Sequence, residues 1–95
     1  MEQGDFLKAL SEEGFSEAVT VEREPEGSLD LHTHPFEAKA LILKGEIRLR
    51  VGETERVYRA GDIFHLRANE PHWEAYGAEG VTYLVGRKSP DAAQA

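Results

Sequence analysis

The chain contains no cysteine. Disulfides and thiolate metal sites are therefore excluded, and any metal ion must be held by His, Asp, Glu or water. Basic residues are outnumbered: eleven Lys and Arg stand against eighteen Asp and Glu, for a formal net charge of −7. Nucleic acid and anionic membrane surfaces both call for a basic patch, so neither is expected as a partner. No apolar run approaches the roughly 18 residues of a membrane-spanning helix. The first residues carry Glu2 and Asp5 in place of the basic and apolar segments of an export signal. A soluble, cytoplasmic protein is the expectation. There is no Gly-x-Ser-x-Gly elbow, no phosphate-cradling glycine loop and no Cys–His pair, which removes the common nucleophilic and nucleotide-binding chemistries.

What is present is β-patterned. At 95 residues one domain is expected over 1–95, with a modest core, because a chain of this size buries only about 60–70% of its unfolded surface. Residues 1–14 read as a short helix: Phe6, Leu7 and Leu10 share a face and Gly14 ends it. From Phe15 apolar and polar residues alternate in short runs. Val19 and Val21 begin the series, Leu29 and Leu31 follow a Pro25-Glu26-Gly27 turn, and Lys39 to Leu43 is stopped by Lys44-Gly45. Glu46 to Val51 is the cleanest alternation in the chain, returning after Gly52-Glu53 as Arg56 to Arg59. Ile63 to Leu66 follows, and His72 to Tyr76 and Val81 to Val85 are joined by a turn at Gly77–Gly80. Strands every 8–12 residues with turn signals between them indicate an all-β sandwich or barrel. The barrel is expected over about 15–86, with 87–95 a disordered tail.

The chemistry concentrates in histidine. His32 and His34 are two residues apart, so on a strand both rings leave the same face. His72 follows Asn69-Glu70-Pro71 and could bring a third imidazole. His65 alternates with Phe64 and Leu66 and is expected to face outward. Glu74 and Tyr76 share the parity of His72 and are the acid–base candidates, while Trp73 has the opposite parity and should pack elsewhere. Leu29, Leu31, Leu41 and Leu43 are expected to alternate away from the histidine face by the same rule, an apolar surface that a monomer rarely leaves open. A homodimer through that sheet or its edge strands is expected. Arg67, on the loop before His72, could draw an anion to the cavity mouth.

In this order the residues resemble a cupin. The first cupin motif runs glycine, His-x-His, a glutamate and a closing glycine; Gly27, His32, His34 and Gly45 fit it. The second begins Gly-Asp and ends in histidine, as do Gly61-Asp62 and His72. Residues 46–60 form a short spacer, and the resemblance covers about 19–86. It implies a double-stranded β-helix, or jelly-roll barrel, and a divalent transition metal (Zn, Fe, Mn, Ni or Cu) held by His32, His34 and His72. Three departures stand out. Counting back from Gly45, the motif glutamate falls on Ala38. Arg67 replaces a proline, and Asn69 replaces a glycine while tolerating left-handed backbone. Glu37 or Glu74 could supply the missing carboxylate. A three-histidine site keeps the full double charge of its ion and leaves positions open, as in cupin thiol dioxygenases. The resemblance thus implies a metal-dependent enzyme on a small polar or anionic molecule, oxygenase chemistry preferred and isomerase chemistry possible. The alternative is a small-ligand binding or sensing module without catalysis.

Overall fold

The computed structural model describes residues 1–89, so most of the expected tail lies outside the described residues. Helix α1 spans Gln3–Glu12. Six strands follow: β1 Val19–Arg23, β2 Ser28–His32, β3 Glu37–Val51, β4 Thr54–Arg59, β5 Ile63–Leu66 and β6 His72–Lys88. The last strand runs past residue 86 because Ala38 and Glu37 pair with Arg87 and Lys88 and extend the ladder.

β3 and β6 are the frame. They pair antiparallel over most of their lengths, and each serves two four-stranded halves. In one half the order is β1, the C-terminal part of β6, the N-terminal part of β3, then β5. In the other it is β2, the N-terminal part of β6, the C-terminal part of β3, then β4. Two turns expected from the sequence are therefore bends within continuous strands. Lys44-Gly45 does not end a strand, and Gly77–Gly80 does not join two. The register shifts between Ile42 and Lys44 and again between Gly45 and Ile47, which bends the ladder without breaking it. Gly45 (φ 75°) and Gly80 (φ 73°) meet at the bend. A methyl group on Gly45 would fall on the Gly80 carbonyl, so only glycine allows the two backbones this approach.

The core lies between the two halves and includes Ala40, Ile42, Ile47, Leu49, Phe64, Val81 and Val85. A second cluster lies outside the first half. There Phe6 and Leu10 of α1 cover Leu41 and Leu84, with Leu43, Phe15 and Ile63 at its margin. This corrects the expected four-leucine surface, because helix α1 already covers Leu41 and Leu43. Leu29 does not oppose the histidines either. The pairing shifts by one residue between Leu29–Glu74 and His32–His72, so Leu29 lines the same cavity as His32. Of the four, Leu31 is the one left fully outward, 69% exposed. Among the described residues no helix is long and apolar enough to cross a membrane.

Candidate metal centre

His32 is the last residue of β2 and pairs directly with His72, the first residue of β6. His34 is not on a strand, contrary to expectation. It lies in the connection to β3, because Pro35 has no N–H for a ladder and restricts the backbone before it. The ring is returned to the site by other means. The Asn69 N–H donates to the His34 carbonyl at 2.8 Å, tying the loop before β6 to the loop after β2. Asn69 makes this turn with φ 62°, the left-handed geometry expected of it.

The three imidazoles converge. Ring centroids are 4.3 Å apart for His32 and His72, 5.0 Å for His34 and His72, and 6.5 Å for His32 and His34. Each ring is oriented by a backbone carbonyl two residues away. His32 Nδ1 lies 2.6 Å from the Asp30 oxygen, His34 Nδ1 2.9 Å from that of Phe36, and His72 Nδ1 2.9 Å from that of Glu70. A carbonyl can only accept, so Nδ1 carries the proton in all three rings. In the neutral rings Nε2 is then a bare lone pair, the state a metal ligand requires. Burial is the largest influence on His34 and holds it below the ordinary histidine range, favouring the neutral ring.

Glu74 completes the group from the strand of His72. It is 6% exposed, and its Oε2 lies 3.9 Å from His72 Nε2. Its other oxygen accepts a 2.6 Å hydrogen bond from the Tyr76 hydroxyl. One nitrogen each of His32 and His72 and one oxygen of Glu74 lie within 4.8 Å of one another, so these three residues could hold a metal ion. These are acceptors facing acceptors. A carboxylate oxygen and bare imidazole nitrogens repel across such a gap unless a proton, a water or a metal cation lies between them. The donor set of nitrogen and oxygen atoms fits a divalent transition metal.

The other candidates separate clearly. Glu37 points away and pairs with His65 on the outer face, as the outward expectation for His65 requires. Tyr76 stands behind Glu74 and is not part of the cavity wall, so in this structure it touches the site through the carboxylate. Trp73 packs beneath the Arg50 guanidinium, 5.3 Å from ring to cation. Arg67 does not line the cavity. Arg23, Arg87 and Tyr83 do, and sequence reasoning passed over all three. The available signal was parity. Arg23 continues the inward row of Val21, and Arg87 continues that of Tyr83 and Val85. The cavity has a volume of about 90 Å³ and is also lined by Ala38, Phe36 and Phe64.

The comparisons agree with this architecture. A search of curated proteins finds no match to the chain. Among solved structures, an RmlC-like cupin from Shewanella frigidimarina superposes with a TM-score of 0.64 at 19% identity, covering 79% of this chain and 68% of that one. DMSP lyase DddQ from Ruegeria pomeroyi gives a TM-score of 0.69 at 24% identity, covering 77% of this chain but 38% of its own. An oxalate decarboxylase from Bacillus subtilis gives 0.68 at 19% identity, covering 76% of this chain and 20% of its own. At these identities the likeness is one of fold. The Cupin domain model matches residues 19–85, the span from the first residue of β1 to within three residues of the end of β6. With β3, nearly all of β6, the paired histidine ends and the intervening hairpin inside that span, the chain belongs to the cupin domain family.

Proposed function

We propose that the protein is a metal-dependent enzyme acting on a small polar or anionic molecule, with His32, His34, His72 and Glu74 as ligands of one divalent ion. The observation that carries this is the convergence of acceptors: bare Nε2 atoms and a buried carboxylate oxygen face one gap. Glu74 then supplies from β6 the carboxylate that motif spacing assigns to Ala38. A bound ion provides Lewis acidity and, if redox-active, oxygenase chemistry. The protein's own part is to fix three tautomers through backbone carbonyls, to hold Glu74 through Tyr76, and to keep the cavity beside Ala38 open for a small molecule. Elemental analysis of untagged protein should find about one transition-metal ion per chain. Metal at 100 times its Kd should stabilise the fold by about 2.7 kcal/mol, and His72→Ala should abolish both effects. Metal-independent stability together with metal-free purified protein would remove the proposal.

Binding without catalysis is the second reading. Its support is that Glu74 and Tyr76 hydrogen-bond to each other, with no free acid or base at the cavity wall between them. A metal-loaded protein that retains a small molecule yet turns over no thiol, diketone, aromatic or sugar substrate would favour it.

We also propose a homodimer, now on narrower grounds. β1 and β2 lie end to end along one side of β6, and their outer edges have no strand partner among the described residues. That edge carries exposed Val19 and Leu31.

A further inference from the structure

Two arginines of an acidic protein are left at one cavity wall without counterions. The chain carries 18 Asp and Glu against 11 Lys and Arg, and Arg50 on β3 and Arg59 on β4 each find a glutamate. Arg23 and Arg87 form no ion pair among the described residues, yet both line the cavity that holds the histidines. Their placement is built into the sheet. Arg87 pairs across the ladder with Ala38, so its side chain starts beside the small residue that leaves the cavity open. Its guanidinium lies 4.8 Å from the centre of the Phe36 ring, and that ring stacks on His34 at 4.2 Å. One aromatic ring thus separates the cation from a proposed metal ligand. Arg23 approaches from β1 and comes close to the buried Tyr83 hydroxyl, both lining the cavity. The Tyr83 hydroxyl lines the cavity and can donate its O–H to something held there.

From this arrangement we propose that Arg23, Arg87 and Tyr83 form a carboxylate-binding pole, and that the ligand is a small organic acid. Its carboxylate is held by the two guanidiniums and the phenol, and an oxygen at its other end meets the metal centre. Guanidinium forks match carboxylates in shape as well as charge, which a lone lysine would not. The cavity volume of about 90 Å³ limits the enclosed part of the ligand, since an apolar cavity of roughly 150 Å³ holds benzene. The second half of this assignment rests on the metal reading; the carboxylate pole does not.

The two parts are separable by calorimetric titration with malonate, using malonamide as the uncharged analogue, on metal-free and zinc-loaded protein. Malonate should bind the metal-free protein at least tenfold more tightly than malonamide. Arg23→Gln and Arg87→Gln should each lose about tenfold in malonate affinity in both metal states, at unchanged melting temperature. Arg87→Lys, which keeps the charge and loses the fork, should recover only part of the loss. His32→Ala should leave the metal-free affinity intact and remove the gain that zinc provides. Equal binding of malonate and malonamide, or arginine variants that bind malonate like the parent, would overturn the carboxylate pole. Arginine-dependent binding with no gain on adding zinc would leave the pole standing and overturn the metal contact.

Discussion

Three histidines acquire one tautomer because each meets a carbonyl two residues away, a contact made by the local chain path. Burial foremost, and then the hydrogen bond to Glu74, raise the Tyr76 hydroxyl above the ordinary tyrosine range. In an unfolded chain tyrosine ionises near pH ~10, while the folded protein keeps this proton beyond that point. The associated stability is complete below about pH 10 and is lost as pH rises from there toward the folded value. Urea midpoints of metal-free protein should therefore fall between about pH 9 and about pH 11, and more shallowly in Tyr76→Phe. Acid acts on the imidazoles instead. Protonated rings cannot ligate, so bound metal should be released progressively as the pH is lowered, read by competition with a chelating dye. Glu74→Gln keeps the shape and removes the charge. It should weaken metal affinity by at least tenfold, read by competition with a chelating dye, while the fold persists.

Among the elements, β3 and β6 matter most, since each belongs to both halves of the barrel. The bend that allows this is carried by Gly45 against Gly80. Gly45→Ala combines a left-handed residue with a backbone collision and should cost at least ~1–3 kcal/mol, measured by denaturant unfolding. Helix α1 is held differently, by burial of Phe6 and Leu10 against Leu41 and Leu84. Gly86 permits the close seat: a methyl group there would meet Leu10 Cδ1 at 2.9 Å. Leu10→Ala should cost about 2–5 kcal/mol and, because the helix lies on the outer face, leave metal affinity nearly unchanged.

At the level of the whole molecule, a net charge of −7 coexists with a cavity lined by Arg23 and Arg87, which form no ion pair among the described residues. Net charge governs solubility and distant encounters, whereas a bound anion responds to the charges that line its own cavity. The proposed dimer is checked by light scattering at micromolar concentration. A mass of twice 10.6 kDa is expected, falling to the monomer in Leu31→Glu if the β1–β2 edge is the contact.

Alternation and turn residues determined the strands, the helix and the all-β class, because side-chain period and turn chemistry are local properties of the chain; the meeting of His72 with His32 and His34 was legible only through the resemblance to the cupin motifs. The histidine spacing was legible even though His34 left the strand, since Pro35 changes the path but not the short reach between the two rings. Tertiary structure decided what depends on pairing between distant segments. A one-residue shift opposite Glu74 turned Leu29 inward, the turn signals at Lys44-Gly45 and Gly77–Gly80 became bends in continuous strands, and α1 covered Leu41 and Leu43. Parity alone gave Glu74 and Tyr76 the same standing as neighbours of His72. Only packing set the carboxylate against the histidine and the phenol behind it, and brought Arg23 and Arg87, 64 positions apart along the chain, to one wall. No local pattern encodes such a meeting, because it is the register of β1 and β3 on β6 that creates it.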